Sequence, residues 1–146
     1  MPLSIFVRFN DEQSTDYGHI GDRVKYLPQN LFMPPRMTLD EAFRLYDVEY
    51  DGLVSFDPKF HTFQKKQFRE LSGGEARVAE MFIIIKSPSD FCILDEPFSN
   101  IAPIHVEKMQ SLIREEKANK GIIVSDHLYE AIIQVSDNLF LLRDGY

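Results

Sequence analysis

Short continuous apolar runs recur along this chain and predict the strands of a sheet. Phe91 to Leu94 and Gly121 to Ser125 are runs of this kind, which is typical of strands that a parallel sheet buries on both faces. Val24 to Leu27, closed by Pro28, predicts another short strand. A partly alternating run from Leu3 to Phe9 and a last apolar run from Leu139 to Leu142 predict further strands. Sheet-forming segments therefore occur from one end of the chain to the other.

Helical patterns lie between the predicted strands. Thr38 with Glu41, and Ser72 with Glu75, have the spacing of a capping box, in which two residues bond each other's backbone N–H groups at a helix start. We predict helices over approximately 38–46, 60–68, 73–86, 103–118 and 128–135, and a turn at Asp51-Gly52. Strands alternating with helices predict an α/β fold, with a parallel sheet flanked by helices.

Composition and charge narrow the possible classes of protein. The 146 residues have the length of one domain, and the 44% hydrophobic content excludes a disordered chain. A net charge of −7 does not favour a nucleic-acid surface, which would need clustered Lys and Arg. The one cysteine, Cys92, lies in an apolar run and is interpreted as an inert buried thiol. Neither a signal peptide nor an apolar run of about eighteen residues is present, so the expected location is the cytoplasm.

The start of the predicted 73–86 helix has features of an anion-binding site. Ser72 and Glu75 form the capping box, and Gly73 and Gly74 lack side chains, so their backbone N–H groups can approach a ligand closely. A helix N-terminus carries partial positive charge and free N–H donors, which suits phosphate. Taken alone, the same pattern also fits an ordinary cap. The residues from Met81 to Ile85 are apolar on every side, so we expect this helix to be buried against the sheet.

Two adjacent carboxylates, Asp95 and Glu96, directly follow the apolar run that ends at Leu94. In open α/β sheets, ligands bind beyond the carboxyl ends of the strands. One carboxylate there can hold Mg²⁺, which prefers oxygen ligands, and a second can orient or deprotonate an attacking water. The alternative is a solvated strand end, because Asp-Glu-Pro is also ordinary in a loop.

Four motifs together resemble those of one protein family. Leu71–Glu75 resembles the signature motif of the ATP-binding cassette (ABC) ATPases, and Phe91–Glu96 is similar to their Walker B strand. Ser125-Asp126-His127 resembles their switch histidine loop, and Tyr26-Leu27-Pro28-Gln29 resembles their Q-loop. Each motif is a weak signal by itself, but the four occur in the order that the family has.

The resemblance implies a mechanism with ATP and Mg²⁺ as cofactors. Two cassettes, identical or different, would face each other head to tail, with ATP between one P-loop and the other's signature. Leu71, Ser72, Gly73, Gly74 and Glu75 would contact the ATP held by the partner. In this chain's own site, Glu96 would polarise the attacking water, Asp95 and Gln29 would hold Mg²⁺, and His127 would contact the γ-phosphate.

The resemblance also implies a domain organisation. The sheet would be that of P-loop NTPases, with residues 31–88 forming an α-helical subdomain and residues 1–30 and 89–146 forming parts of the α/β core. In transporter cassettes, a groove beside this subdomain receives a coupling helix from the membrane subunit. Phe32, Met33 and Met37 could line such a groove, since Met suits adaptable surfaces, or they could simply pack in the core.

The chain departs from the family pattern in two places. It contains no Gly-x-x-x-x-Gly-Lys-Ser/Thr, so the phosphate-binding Walker A loop is absent. Ala102 stands where the family's D-loop usually has Asp, which puts in doubt the cross-dimer contact to the opposite Walker A loop. We interpret the chain as a cassette that is incomplete at its N-terminal end and also at its C-terminal end, rather than as a natural degenerate cassette.

Three functional hypotheses follow from these observations. The first is the ATPase subunit of a membrane transporter, placed peripherally on the inner face of the membrane with a second cassette and a transmembrane subunit as partners. The second is a soluble cassette ATPase acting on nucleic acid or ribosomes. The lack of a basic patch and of a long coiled-coil insert argues against it. The third is a non-catalytic remnant that binds a partner subunit through its signature face.

Overall fold

The centre of the fold is a small parallel sheet. The computed structural model describes residues 7–9, 12–14 and 21–141. Its strands are β1 (Val7–Phe9), β2 (Glu12–Ser14), β3 (Val24–Leu27), β4 (Phe91–Asp95) and β5 (Gly121–Ser125). β1 and β2 form an antiparallel pair, whereas β3, β4 and β5 form a parallel three-stranded sheet with β4 in the middle. The predicted parallel sheet is confirmed.

Helices connect and cover these strands. They are α1 (Leu39–Leu45), α2 (Tyr50–Phe56), α3 (Gly73–Lys86), α4 (Pro103–Glu116) and α5 (Tyr129–Ile133), with short 3-10 helices at Pro58–Thr62 and Phe68–Glu70. Every residue of α3 from Ala76 to Ile85 is buried, as expected for a helix with no polar side. The helix lies against β4, where the thiol of Cys92 is 3.8 Å from the carbonyl oxygen of Ile84. Burial raises the pKa of the Cys92 thiol to about 12, which keeps it protonated and unreactive.

The prediction of one helix over 60–68 was wrong. That stretch contains the end of one 3-10 helix, a turn, and the start of another. The carbonyl groups of Gln64 and Lys66 accept hydrogen bonds from the backbone N–H groups of Asp40 and Leu39. These acceptors satisfy the free N–H groups at the start of α1. In a continuous α-helix over 60–68, the carbonyl group of Gln64 would instead accept from the N–H group of Phe68.

The predicted turn at Asp51-Gly52 was also wrong, because both residues lie inside α2. Tyr50 and Leu53 of this helix are buried. A Cβ atom at Gly52 would lie 3.1 Å from the Cζ atom of Phe82 on α3. The glycine therefore lets two helices approach closely instead of forming a turn.

The predicted last strand, Leu139 to Leu142, does not form in its described part. Leu139, Phe140 and Leu141 have no regular structure and are exposed, and Leu142 lies outside the described residues. A strand needs a neighbour for its backbone hydrogen bonds, and in the described part of the chain β5 pairs only with β4. In the first predicted strand, Val7–Phe9 is extended as expected, and residues 3–6 lie outside the description.

The two faces of the parallel sheet differ. Cys92 and Leu94 point toward α3 and are fully buried. On the opposite face Tyr26 and Ile123 are 51% and 59% exposed. None of the described helices covers this face, although both faces of a parallel sheet are normally buried. We call it the open sheet face.

Met33, Phe32 and Met37 pack on the core. Met33 is buried, and Phe32 and Met37 are partly buried against the same cluster. Of the two alternatives left by the sequence, core packing therefore holds for Met33, while a groove formed by the exposed parts of Phe32 and Met37 stays a prediction.

Within the described ranges, no helix is both long enough and apolar enough to cross a membrane.

Candidate active site

The predicted site residues of the α/β core come together at one edge of the sheet. Asp95 is the last residue of β4 and Glu96 follows it, while Gln29 lies just beyond β3 and His127 just beyond β5. Because the three strands are parallel, their carboxyl ends meet at the same edge. The side chains of all four residues gather there, as the next contacts show.

Asp95 is held by hydroxyl groups from the two neighbouring strands. Ser125 donates a hydrogen bond from Oγ to Asp95 Oδ1 at 2.7 Å, and the Tyr26 hydroxyl donates to Asp95 Oδ2 at 3.3 Å. Desolvation and the nearby Asp95 carboxylate raise the pKa of the Tyr26 phenol. It therefore stays protonated and able to donate, and the Asp95 carboxylate has a defined orientation.

Glu96 is contacted by the two other predicted residues. Gln29 Nε2 donates to Glu96 Oε2 at 2.8 Å, Ser99 Oγ donates to the same oxygen at 3.3 Å, and His127 Nδ1 lies 3.8 Å from it. The backbone of Glu96 has a φ of 45°, which is in the left-handed region. Strain of this kind in a residue other than glycine persists only where the surroundings enforce it.

Asp126 has a structural role that the sequence did not indicate. Its side chain is fully buried, and its carboxylate accepts hydrogen bonds from the backbone N–H groups of Phe98 at 3.0 Å and Leu128 at 2.9 Å. It thereby ties the loop after β4 to the loop after β5. His127, next to it, remains mostly exposed, with Nδ1 3.5 Å from Asp126 Oδ1.

The start of α3 forms the capping box that its spacing predicted. Ser72 Oγ accepts from the N–H of Glu75 at 3.3 Å, and Glu75 Oε2 accepts from the N–H of Ser72 at 2.8 Å. A Cβ atom added at Gly73 would meet nothing within 4 Å, whereas one at Gly74 would lie 3.4 Å from the carbonyl oxygen of Asn100. The helix tip is thus open at Gly73 and adjoins the loop after β4 at Gly74.

Comparison with known proteins finds relatives in one family. No family model matches the chain. It is 31% identical over 150 residues to MJ1023 of Methanocaldococcus jannaschii, an uncharacterized ABC transporter ATP-binding protein, covering 92% of this chain and 55% of that protein. It is also 34% identical over 86 residues to the lipopolysaccharide export system ATP-binding protein LptB of Acidithiobacillus ferridurans, covering 58% of this chain and 36% of LptB. These curated relatives are ATP-binding proteins of ABC transporters, which confirms the predicted resemblance to the ATP-binding cassette ATPases.

The fold agrees with that resemblance. A solved dimeric structure of the ATP-binding cassette MJ0796, in a post-hydrolysis state bound to ADP and Pi, superposes with a TM-score of 0.67 at 15% identity. The superposition covers 86% of this chain and 64% of that one. The chain spans about half the length, or less, of the curated relatives that it matches.

The donor groups at the sheet edge suit a magnesium ion held together with a phosphate. Among the described residues, no group of three or more His, Cys, Asp and Glu side chains is arranged to enclose a metal. Mg²⁺ usually keeps several waters and takes one or two carboxylates plus phosphate oxygens. Asp95, oriented by two hydroxyl groups, and the side-chain oxygen of Gln29 are suitable ligands of that kind. In an ABC ATPase, the bound ion would neutralise phosphate charge.

Sequence reasoning assigned no role to Tyr26, although it lies in the strand that resembles the start of the Q-loop. In the parallel register it stands opposite Ile93, on the same face of the sheet as Asp95. If the strands had been paired in the order of the motifs, the hydroxyl group of Tyr26 would have been predicted to lie beside Asp95. Asp126 gave no comparable signal, because its partners are backbone N–H groups of two loops.

The capping box predicts a pH-dependent contribution to stability. The hydrogen bond from the Ser72 N–H lowers the pKa of Glu75 below its ordinary value of 4.5. The stabilisation is therefore present above pH 4.5 and is lost as the pH falls through the lowered pKa. We expect Glu75→Gln to lower the free energy of unfolding by about 0.3–1 kcal/mol at pH 7, and by less in acid.

Urea denaturation at several pH values measures this difference. Glu107→Gln is the matched control, since Glu107 is an exposed residue on α4. An equal loss of stability in the Glu75→Gln variant at pH 7 and pH 3 would show that the charge of Glu75 contributes nothing to the cap.

Proposed function

We propose that this chain supplies the signature, Walker B, Q-loop and switch residues of an ABC transporter ATPase. One observation supports this more than any other: Gln29, Asp95, Glu96 and His127, which are far apart in the sequence, gather at one edge of the sheet. Phosphoryl transfer depends mainly on positioning and charge neutralisation, and an amide, two carboxylates and an imidazole can provide both.

Each residue would have its own task. Glu96 would polarise the attacking water, since its carboxylate is within reach of His127 and Gln29. Asp95 and Gln29 would bind Mg²⁺. The exposed imidazole of His127 would donate a hydrogen bond to the γ-phosphate. Ser72, Gly73 and Gly74, with Leu71 and Glu75 beside them, would contact an ATP held by a partner cassette.

A P-loop is needed from outside these 146 residues. The open sheet face supports this requirement, because it is apolar and ends at the acid pair, where Tyr26 contacts Asp95. A segment packed on that face would bring a phosphate-binding loop next to Asp95. The proposed partners are therefore a second cassette and a transmembrane subunit, which would hold the assembly at the cytoplasmic face of a membrane.

The second candidate is a non-catalytic cassette that binds a partner subunit. The lack of Gly-x-x-x-x-Gly-Lys-Ser/Thr in the sequence favours it. Nucleotide titration distinguishes the two candidates, because the non-catalytic cassette would gain neither ATP affinity nor turnover when a P-loop is supplied. Co-purification with a membrane protein would distinguish a transporter subunit from an ATPase acting on nucleic acid or ribosomes.

We expect the 146-residue chain alone to hydrolyse little or no ATP, because its sequence contains no Gly-x-x-x-x-Gly-Lys-Ser/Thr loop to cradle the nucleotide phosphates. Phosphate release is measured with and without Mg²⁺, in the wild type and in the Glu96→Gln variant. A Mg²⁺-dependent turnover that Glu96→Gln abolishes would overturn the requirement for a P-loop from elsewhere. Turnover that Glu96→Gln leaves intact would identify a contaminating ATPase.

A further inference from the structure

Two charged side chains are buried in α3, in the part of the helix that contains no other polar group. Arg77 is 3% exposed and Glu80 is 0% exposed. A buried ion pair usually adds little stability compared with apolar residues of the same size. The closest approach between the two is 4.0 Å, from Arg77 Nη1 to Glu80 Oε2. Attraction within the pair therefore gives no sufficient reason for the presence of both charges.

The Arg77 guanidinium holds the backbone on both sides of the candidate site. Its Nη1 donates to the carbonyl oxygen of Pro28 at 2.6 Å, directly before Gln29. Its Nη2 donates to the carbonyl oxygens of Asp95 at 2.8 Å and Glu96 at 3.1 Å. One planar group with fixed donor directions thus spans the two segments that carry the proposed magnesium ligands.

Glu80 holds the other end of the segment that contains Gln29. Its Oε1 accepts hydrogen bonds from the backbone N–H groups of Phe32 and Met33, both at 2.9 Å. Burial raises the pKa of Glu80, and these N–H groups and Arg77 oppose that shift. The second oxygen, Oε2, is buried without a hydrogen-bond partner among the described atoms. Only one of the two carboxylate oxygens of Glu80 is therefore hydrogen-bonded, and both of its bonds go to the 28–33 segment.

We propose that Arg77 and Glu80 are positioning residues for the nucleotide site, which fasten both the Gln29 segment and the Asp95–Glu96 backbone to the helix that begins with the signature. This inference rests on the proposed function, because that function identifies the site as a nucleotide site. The left-handed backbone of Glu96 supports it, since its carbonyl group is held by Arg77 and its N–H donates to Ser125 at 2.7 Å. Fixing a strained residue from two sides is what such a conformation requires.

The two residues hold different parts of the site, so their variants should have different effects. Lysine at position 77 keeps the charge but has no planar fork to span two segments. Arg77→Lys should therefore change the NMR shifts of the Gln29 side-chain amide and the Glu96 N–H, while leaving Phe32 and Met33 protected from hydrogen exchange. Glu80→Asp shortens the side chain by one methylene. It should reduce the protection of the Phe32 and Met33 amides by about 10- to 100-fold, as expected for loss of hydrogen bonds to a charged group.

The wild-type chain provides a test that does not depend on a variant folding. The amides of Phe32 and Met33 lie in a segment without regular structure, yet we expect them to exchange as slowly as the buried amides of α3. Fast exchange of both in the wild type would overturn the role of Glu80. Arg114→Lys and Glu107→Asp, both at exposed positions of α4, are the matched controls.

A merely structural role predicts a different pattern. If Arg77 and Glu80 only added stability, both variants would reduce protection uniformly across α3, β4 and the 28–33 segment, and that result would overturn the proposal. The exchange measurements need no nucleotide. They can therefore succeed even if ATP hydrolysis in the assembled cassette is insensitive to Glu96→Gln, in which case the proposed function fails and the positioning contacts stand.

Discussion

Replacing Glu96 with glutamine is expected to lower kcat for ATP hydrolysis by about 10²- to 10⁴-fold, the usual contribution of a positioned general base. Glutamine keeps the size of the side chain and an oxygen that can accept the hydrogen bond from Gln29. The KM for ATP should therefore stay nearly unchanged, which is the pattern of a group that acts only in the transition state. Phosphate release is measured with this chain assembled with a polypeptide that carries a P-loop.

Glu107→Gln is the control for this experiment. It removes the same charge from an exposed position on α4 and should leave kcat unchanged. Full activity of the assembled Glu96→Gln protein would exclude Glu96 as the residue that polarises the water. Equal losses in both variants would point to net charge rather than to the site.

Replacing Phe82 with alanine is expected to lower the free energy of unfolding by about 3–5 kcal/mol, because it leaves a cavity in the packed core. Phe82 is buried where α3 packs against α1 and α2. Its ring lies 6.1 Å from that of Phe43 and 5.6 Å from that of Phe56, and it is in close contact with Gly52. Urea denaturation followed by circular dichroism gives the free energy of unfolding by linear extrapolation.

Phe140→Ala removes the same side chain from a position that is 86% exposed. Its effect should stay within about 0.5 kcal/mol, as for surface substitutions generally. A comparable destabilisation by both variants would mean that Phe140 is covered in solution. A small effect of Phe82→Ala would mean that the core relaxes to fill the cavity.

The sequence alone was sufficient for features that depend on near neighbours in the chain. The parallel strands, the capping boxes at Thr38 and Ser72 and the all-apolar part of α3 follow from local patterns, and the structure has all of them. The predicted last strand does not form in its described part, and two further stretches were predicted wrongly because distant groups override the local pattern. Asp51-Gly52 is helical because Tyr50 and Leu53 are buried and Phe82 packs on the glycine. In 60–68, the carbonyl groups of Gln64 and Lys66 bond to the start of α1 rather than within a helix of their own.

The resemblance of the motifs predicted that Gln29, Asp95, Glu96 and His127 belong to one site. Only the tertiary structure determined which of their atoms face each other. Tyr26 bonds to Asp95 across 69 positions of sequence, and Arg77 bonds to Pro28 across 49. No local pattern carries such pairings, because they arise when parallel strands align and α3 packs against their ends. A residue's type sets which bonds it can form, and the packing of the chain determines which partners come within reach.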